Sequence, residues 1–135
     1  MEPNIIARIR EDLALNADER TKASSFRFFK EKVHCYGVRS ALVGRIAKDY
    51  FSEIEFEDKK TIFAMCEELF RSDYNEEAFI AAEWAYWVRE AYTEDDFFTF
   101  ERWIENYINN WAKCDTLCNH AVGSFIEKFP AYVAN

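Results

Sequence analysis

The sequence is poor in glycine and proline, with only 3 Gly and 2 Pro among 135 residues. β-Sheet proteins need such residues at the turns between their short strands, so this scarcity argues against a sheet. Half of the residues are hydrophobic and 18% are aromatic, which excludes a disordered chain and suits one domain with its own core. We therefore predict an all-α fold of helices joined by short polar links.

Long hydrophobic runs are also missing. No window approaches the roughly 18 apolar residues of a membrane span, and the N-terminal Met1-Glu2-Pro3-Asn4 lacks the basic and apolar regions of a signal peptide. We expect a cytoplasmic location and no membrane partner. In that compartment the four cysteines are expected to be reduced and buried: Cys35, Cys66, Cys114 and Cys118.

Positive charge is in deficit, with 17 Lys and Arg against 25 Asp and Glu and a formal net charge of -8. Taken alone, this balance argues against nucleic acid, because phosphate binding uses clustered Lys and Arg. It does not decide the question, since an acidic outer face leaves a concave face free to be basic. The sequence contains no Walker motif, no Gly-rich dinucleotide turn, no Gly-x-Ser-x-Gly and no zinc-finger pattern.

Apolar residues recur with helical spacing from the start, as in Ile5, Ile9 and Leu13. The pattern predicts seven helices, and the one at 76–92 is apolar nearly all round, as a central buried helix would be. Helix pairs recur near the spacing of about 40 residues of HEAT-type units, which predicts a HEAT-like helical-repeat solenoid of antiparallel helix pairs. We expect residues 1–135 to be a single domain, the N-terminal part of a longer array, because no capping unit follows the last helix. The first predicted helix contains Ile5, Ile9 and Leu13, and the others cover 21–33, 41–51, 58–70, 76–92, 97 to about 108 and roughly 112–128.

Three residues are predicted to mark helix ends. Gly37 suits a left-handed C-terminal cap, Ser40 suits the N-cap of the helix that follows, and Thr93 precedes first-turn acids that favour a helix start.

Trp111 and Asp115 are four residues apart and share one face of a helix. A ring and a carboxylate side by side suit a site that stabilises positive charge, the ring through its quadrupole and the carboxylate through its charge. The alternative is that Trp111 packs in the core and Asp115 caps the helix. Helical spacing alone leaves both interpretations open.

Cys114, Cys118 and His120 form a second candidate. The two thiols face each other across one helical turn, but zinc usually takes four ligands and no second ligand pair lies nearby; His34 and Cys35 are the only remote candidates. We therefore predict no metal site and interpret the cysteines as small buried hydrophobic residues.

The segment 34–40, His-Cys-Tyr-Gly-Val-Arg-Ser, has two interpretations. It is an interhelix turn, or it is a phosphate site in which Arg39 and Ser40 stand beside a helix N-terminus. Local positive charge on the flanking helices comes from Lys30, Lys32, Arg45 and Lys48.

Two segments together resemble a known family. FRFFKEKVHCYGVRS, followed about seventy residues later by INNWAKCDTLCNHAVG, is similar to the AlkD-like DNA alkylation-repair glycosylases. The resemblance covers the chain from about residue 20 to its end and includes AFIAAEWAYWVREAY and FERWIENYI. It implies a curved HEAT-like array whose concave face grips duplex DNA. The implied reaction is excision of positively charged N3- and N7-alkylated purines, without full extrusion of the base.

The resemblance also implies roles for particular residues. The family's Trp-x-x-x-Asp motif is found here as Trp111 and Asp115. Asp115 would stabilise the oxocarbenium-like sugar and position the attacking water, while Trp111 would pack against the sugar. No metal or cofactor is required. We expect a monomer that binds duplex DNA containing alkylated bases.

The predicted DNA contacts are Arg39, Ser40, Lys30 and Phe28, the last at a position where some members have Tyr. A further Trp and several basic contacts come from the family's C-terminal half, beyond Asn135.

Two departures, Asn110 in place of an aromatic residue and Ala112 in place of an acid, keep open a paralogue that binds damaged or branched DNA without catalysis. The net charge favours a third hypothesis, a helical-repeat scaffold that binds proteins.

Overall fold

The computed structural model describes residues 2–28, 34–109 and 111–132; within these ranges the side chains of residues 2–4, 24–28, 111, 112, 115 and 132 lie outside the description. The described ranges contain no strand, and a lone parallel bridge joins His34 to Tyr74. The predicted all-α fold is confirmed. The α-helices are α1 (Glu2–Leu15), α2 (Glu19–Phe28), α3 (Ser40–Ile54), α4 (Lys59–Arg71), α5 (Asn75–Trp87), α6 (Asp96–Tyr107), α7 (Trp111–Thr116) and α8 (Gly123–Lys128).

A π-helical segment, Leu117–Val122, joins α7 directly to α8, and 3-10 turns cover Arg89–Ala91 and Pro130–Tyr132. When α7, the π segment and α8 are counted as one continuous helix, the described residues contain the seven predicted helices. This succession of packed helices is consistent with a helical repeat. None of the helices in the described part of the chain is long and apolar enough to cross a membrane.

The core is built around α5, which packs against α3, α4, α7 and the π segment. Its Ile80, Ala81 and Trp84 are completely buried, because α5 is apolar on nearly every face and has neighbours on nearly every side. The Trp84 indole N–H donates to the Ala47 carbonyl oxygen at 2.9 Å, so burial of the largest side chain leaves no polar atom unpaired. The predicted central position of this helix is confirmed.

Helix ends differ from the predictions at several points. Ser40 is the first helical residue and Arg39 is the N-cap, since Arg39 has the extended backbone (φ -61°, ψ 144°) that this position needs. The predicted cap role of Ser40 is therefore wrong by one residue. The helix predicted over 76–92 ends at Trp87 and continues as a 3-10 turn. The predicted end of the second helix, Val33, lies outside the described residues.

The start of α6 uses one half of the predicted capping arrangement. Thr93 makes no side-chain cap, and Asp95 is the N-cap residue. The Asp96 carboxylate instead accepts a hydrogen bond from the Thr93 backbone N–H at 2.8 Å and pairs with the Lys59 ammonium at 2.8 Å. At α4 the Asp58 carboxylate accepts from the Thr61 N–H at 2.9 Å, an ordinary N-cap.

Candidate functional site

The segment 34–39, which leads into α3, is held by one buried carboxylate. Glu76, in the first turn of α5, accepts hydrogen bonds from the backbone N–H groups of Tyr36 (3.0 Å), Gly37 (2.9 Å) and Val38 (3.1 Å). A carboxylate that is only 5% exposed is stable here because its charge meets three aligned donors. The segment therefore follows a fixed path across the N-terminus of α5.

Gly37 fixes the other side of this path. Its φ is +90°, and a Cβ placed on it would lie 2.7 Å from Lys22 Cβ and 2.8 Å from the Asp18 carbonyl oxygen. Only glycine fits such a conformation and such a contact without strain. The predicted left-handed conformation is confirmed, but the predicted role as a helix C-cap is wrong, because residues 34–36 before Gly37 are not helical. The contacts of Gly37 are with Asp18, just before α2, and with Lys22 in α2.

A second buried acid joins this segment to α1. Glu77, which is completely buried, accepts from the Tyr36 hydroxyl at 2.6 Å and from Arg10 Nε at 3.0 Å. Burial, and then the hydrogen bond to Glu77, raise the pKa of the Tyr36 hydroxyl well above its ordinary value. The Tyr36 ring also stacks on Tyr74, with centroids 4.4 Å apart. The segment is thus anchored at three successive residues.

The anchored segment places the cation Arg39 at the N-terminus of α3. Arg39 and Ser40 are both exposed, and beside them lies a cavity of about 190 Å³ that Thr21 and Asn75 also line. The Arg39 side chain has no hydrogen bond or ion pair within the described part of the chain, although its charge helps to hold the pKa of the Asp18 carboxyl below its usual range, after the hydrogen bonds from Thr21 and Arg20. A guanidinium beside the unpaired N–H groups of a first helical turn suits a phosphate oxygen.

We call the N-cap residue Arg39 together with the exposed α3 residues Ala41, Gly44, Arg45 and Lys48 the α3 basic face; the exposed acid Asp49 lies beside Arg45 and Lys48 on the same helix. All five residues of this face are exposed. Among the described residues, neither Arg45 nor Lys48 has an ion-pair partner. A Cβ on Gly44 would meet nothing within 4 Å, so two small residues here leave room for close approach of a ligand between the cations.

The segment of the Trp-x-x-x-Asp motif is tied to the 34–39 segment through Asp73. The Lys113 ammonium, in α7, bonds to the Asp73 carboxylate at 2.8 Å and to the Asp73 carbonyl oxygen at 3.0 Å. The other carboxylate oxygen of Asp73 lies 2.9 Å from His34 Nδ1. Asn109 bonds to both Asp73 and Lys113. One acid thus connects the two segments that carried the family resemblance.

Burial opposes ionisation of Asp73, but the hydrogen bonds from Lys113 and Asn109 and the charges of Lys113 and His34 outweigh it, so the pKa of the carboxyl lies below its usual value. Asp73 has a left-handed backbone (φ 70°), which Asp tolerates better than most residues.

The backbone of α7 carries both Trp111 and Asp115, but their side chains lie outside the described part of the structure. The choice between a catalytic pair and a core-and-cap pair therefore stays as the sequence left it. The predicted contact Phe28 ends α2, and its side chain is likewise outside the description, as is the whole of Lys30. Arg39 and Ser40 are the two predicted DNA contacts whose surroundings are described.

The π segment begins two residues after Asp115. The Gly123 N–H that closes it donates to the Cys118 carbonyl oxygen, five residues earlier, and a Cβ on Gly123 would lie only 3.3 Å from that oxygen. Glycine at 123 therefore accommodates the wider turn. π-Helical turns occur often beside functional sites.

The prediction of buried cysteines is confirmed for Cys35 and Cys66 and wrong for Cys114, which is exposed, while Cys118 is partly buried. The buried row of this helix consists of Lys113, Leu117, Ala121 and Phe125, so the cysteines lie one position away from it. Among the described residues, no disulfide joins any of the four cysteines. No group of three or more His, Cys, Asp or Glu suited to a metal occurs among the described residues.

Sequence reasoning missed Lys113, Asp73 and Glu76. Lys113 and Asp73 are 40 residues apart and Glu76 lies 40 residues from Tyr36, so helical periodicity carries no signal of their contacts.

A comparison with protein families places this geometry in context. The family model described as "DNA alkylation repair enzyme" matches residues 9–134, a range that contains the 34–39 segment, the α3 basic face and α7. Neither a curated protein nor a solved structure matches the chain.

Proposed function

We propose, on the premise that this chain belongs to the DNA alkylation repair enzyme family, that it is a DNA glycosylase. Its substrates would be positively charged N3- and N7-alkylated purines in duplex DNA. The family match carries this proposal, because it spans both segments that resemble the AlkD-like glycosylases. The tie from His34 through Asp73 to Lys113 supports it, since it fixes one segment relative to the other.

The proposed reaction breaks the bond between C1′ of the deoxyribose and the purine nitrogen. The bonding electrons go to the alkylated base, which leaves as a neutral molecule because it already carries a positive charge. The sugar becomes oxocarbenium-like, and water adds to C1′ and loses a proton, which gives an abasic site. A carboxylate next to a cationic sugar stabilises this transition state, as in glycosidases. We assign that role to Asp115 and packing against the sugar to Trp111; no metal is needed.

The proposed DNA contact surface is the α3 basic face. Its cations are exposed and unpaired among the described residues, and the anchored turn before it presents Arg39 at the helix N-terminus. Contacts of this kind go to phosphates, so they position the duplex and carry no sequence information. Ser40, at the first turn of α3, would add a hydroxyl donor to the same phosphate.

The test is release of free 7-methylguanine from methylated duplex DNA by the wild-type protein and by Asp115→Asn. We expect release by the wild type and at least a 100-fold slower release by the variant, with DNA binding retained, because electrostatic stabilisation of this kind is commonly worth two to three orders of magnitude. Glu105→Gln, at an exposed acid of α6, is the matched control. Equal release by wild type and Asp115→Asn would refute the role of Asp115.

Asn110 and Ala112 favour a second candidate, a non-catalytic family member that binds damaged or branched DNA. Tight, salt-sensitive duplex binding without base release by the wild type would establish it. Absence of duplex binding would favour the protein-binding scaffold instead.

A further inference from the structure

One stripe of the central helix α5 is left open by its neighbours. The partly exposed residues of α5 are Phe79, Glu83, Tyr86 and Trp87, and all others in this helix are buried. Phe79, Glu83 and Tyr86 follow one another at spacings of four and three residues, so they share one face of the helix. This open stripe is therefore the part of α5 that a ligand can reach.

The two ends of the open stripe adjoin the elements of the proposed DNA site. Phe79 lines the same cavity as Arg39, at the start of the α3 basic face. Two turns further along α5, the Tyr86 ring lies 5.2 Å from the ring of His120, in the π segment that joins α7 to α8. Glu83 thus stands between the α3 basic face and the helix that carries the Trp-x-x-x-Asp motif.

Glu83 is an unpaired acid in this position. Its carboxylate has no hydrogen bond or ion pair within the described part of the chain, and Arg45 and Lys48 of the neighbouring helix α3 do not pair with it. A partly buried carboxylate without a partner loses hydration without compensation. On a surface that receives phosphates it also repels them. A ligand that brings positive charge to the open stripe removes both costs.

We propose that Glu83 recognises the positive charge of the alkylated base, an inference that rests on the proposed glycosylase function. Purines alkylated at N3 or N7 carry a positive charge, whereas the ordinary bases are neutral. A carboxylate attracts the cationic ring and gains no such attraction from a neutral base of the same shape. Aromatic rings beside a carboxylate suit the same task, because their faces attract cations. The Tyr86 ring already contacts one cation, the Arg89 guanidinium, 4.3 Å from its centroid.

Glu83 and Asp115 then have separate roles. The positive charge moves from the base to the adjoining sugar as the bond breaks, and Asp115 is assigned to the charge that develops on the sugar. Glu83 faces a positive charge both before and during the reaction, so it contributes to binding in the ground state and in the transition state alike. Loss of such an interaction raises KM and leaves kcat nearly unchanged. Glu83 is therefore a specificity residue.

The first experiment compares duplexes of one sequence that differ at a single base: 7-methylguanine, its neutral isostere 7-methyl-7-deazaguanine, or guanine. A 2′-fluoro sugar at that position slows base loss during the titration. We expect the wild type to bind the 7-methylguanine duplex about tenfold more tightly than the neutral isostere, and Glu83→Gln to bind the two equally. Because Glu83→Gln removes a repulsive charge, it should bind the guanine duplex at least as tightly as the wild type. A purely structural role would instead weaken binding to all three duplexes.

Two further variants separate the charge of Glu83 from its position. Glu83→Asp keeps the carboxylate and should keep most of the preference for the cationic base. Glu105→Gln, which removes one negative charge from an exposed position of α6, should bind all three duplexes as the wild type does. Far-UV circular dichroism confirms that each variant is folded, which the partial exposure of Glu83 and the equal size of glutamine favour.

The second experiment measures base release from methylated duplex DNA, in which Glu83→Gln should raise KM about tenfold and change kcat less than about twofold. A wild-type preference for the cationic duplex in Glu83→Gln would overturn the inference. So would a wild type that releases 7-methylguanine but binds the cationic and neutral duplexes equally, and in that case the glycosylase proposal would stand. Absence of duplex binding by the wild type would refute both proposals.

Discussion

The cations of α3 and those of α1 and α6 differ in what surrounds them. Arg8 in α1 forms a bidentate pair with Glu53 at 2.9 Å, and Arg102 in α6 bonds to Glu67 at 2.6 Å. Arg45 and Lys48 in α3 are exposed, and neither has such a partner among the described residues. The cations of α1 and α6 thus pair with acids of the protein itself, whereas those of α3 remain available to a ligand. The proposed DNA contact surface therefore rests on the exposed cations that lack an acidic partner, and not on the net charge of the chain.

Two acids also differ in what they bond to: Glu67 in α4, which pairs with Arg102, and Glu76 in α5, which lies under the turn before Arg39. The Glu67 carboxylate accepts hydrogen bonds from the side chains of Arg102, Trp103 and Tyr107. Partial burial opposes its ionisation, but these donors keep the pKa of its carboxyl below the usual value. Among the described residues, Glu76 accepts hydrogen bonds from the backbone N–H groups of residues 36–38, and these bonds hold the turn that precedes Arg39. Glu67 thus pairs with side chains, whereas Glu76 fixes the backbone turn that precedes Arg39.

The largest effect is expected when Glu76→Ala removes the support of that turn. Three backbone N–H groups lose their acceptor, which should lower the free energy of unfolding by about 3 kcal/mol. Duplex affinity should fall as well, because Arg39 loses its fixed position. Urea denaturation and a duplex titration measure the two effects. Glu68→Ala, at an exposed acid of α4, is the control; an equal loss of stability there would show that the bonds to residues 36–38 have no special weight.

Next in size is the effect of neutralising the α3 basic face by Arg39→Gln, Arg45→Gln and Lys48→Gln together. Duplex affinity should fall roughly 30-fold and the slope of log affinity against log salt should decrease by about 3, one for each lost phosphate contact, with stability unchanged. The matched control is Arg8→Gln with Arg102→Gln, which should leave affinity unchanged. If the control weakens binding as much as the triple substitution does, paired and unpaired cations do not differ in function.

The smallest effect concerns Asp73→Asn. Because the folded-state pKa of Asp73 is lowered, its ionisation stabilises the fold above the unfolded pKa of about 4, and this contribution is lost as the pH falls through the folded value. The variant should be about 1 kcal/mol less stable than wild type at pH 7, and the two should converge as the pH drops below 4. Urea denaturation from pH 7 to 3 measures this, with Asp95→Asn as control. A difference that does not change with pH would mean that the carboxylate charge is not what Asp73 contributes.

The sequence predicted what depends on neighbours along the chain. Local composition predicts three features: that α5 is apolar on nearly every face, that Gly37 is left-handed and that Arg39 is exposed. Burial of Lys113 does not, because a lysine enters a buried row only when a distant acid, here Asp73, is present to pair with it. The burial of Cys114 was predicted wrongly for the same reason. The hydrophobic pattern predicted that Cys114 faces the core, but the ion pair with Asp73 places its neighbour Lys113 there instead.

The π segment has a consequence for the phase of the last helix. Four residues of an α-helix overshoot one turn by about 40°, whereas a π turn is wider and four of its residues fall short. The segment Leu117–Val122 therefore compensates the drift and keeps Lys113, Leu117, Ala121 and Phe125 aligned on the core. Removing a single residue from it would rotate α7 by about 100° relative to α8. The rotation of α7 relative to α8 is thus set by the length of the π segment between them.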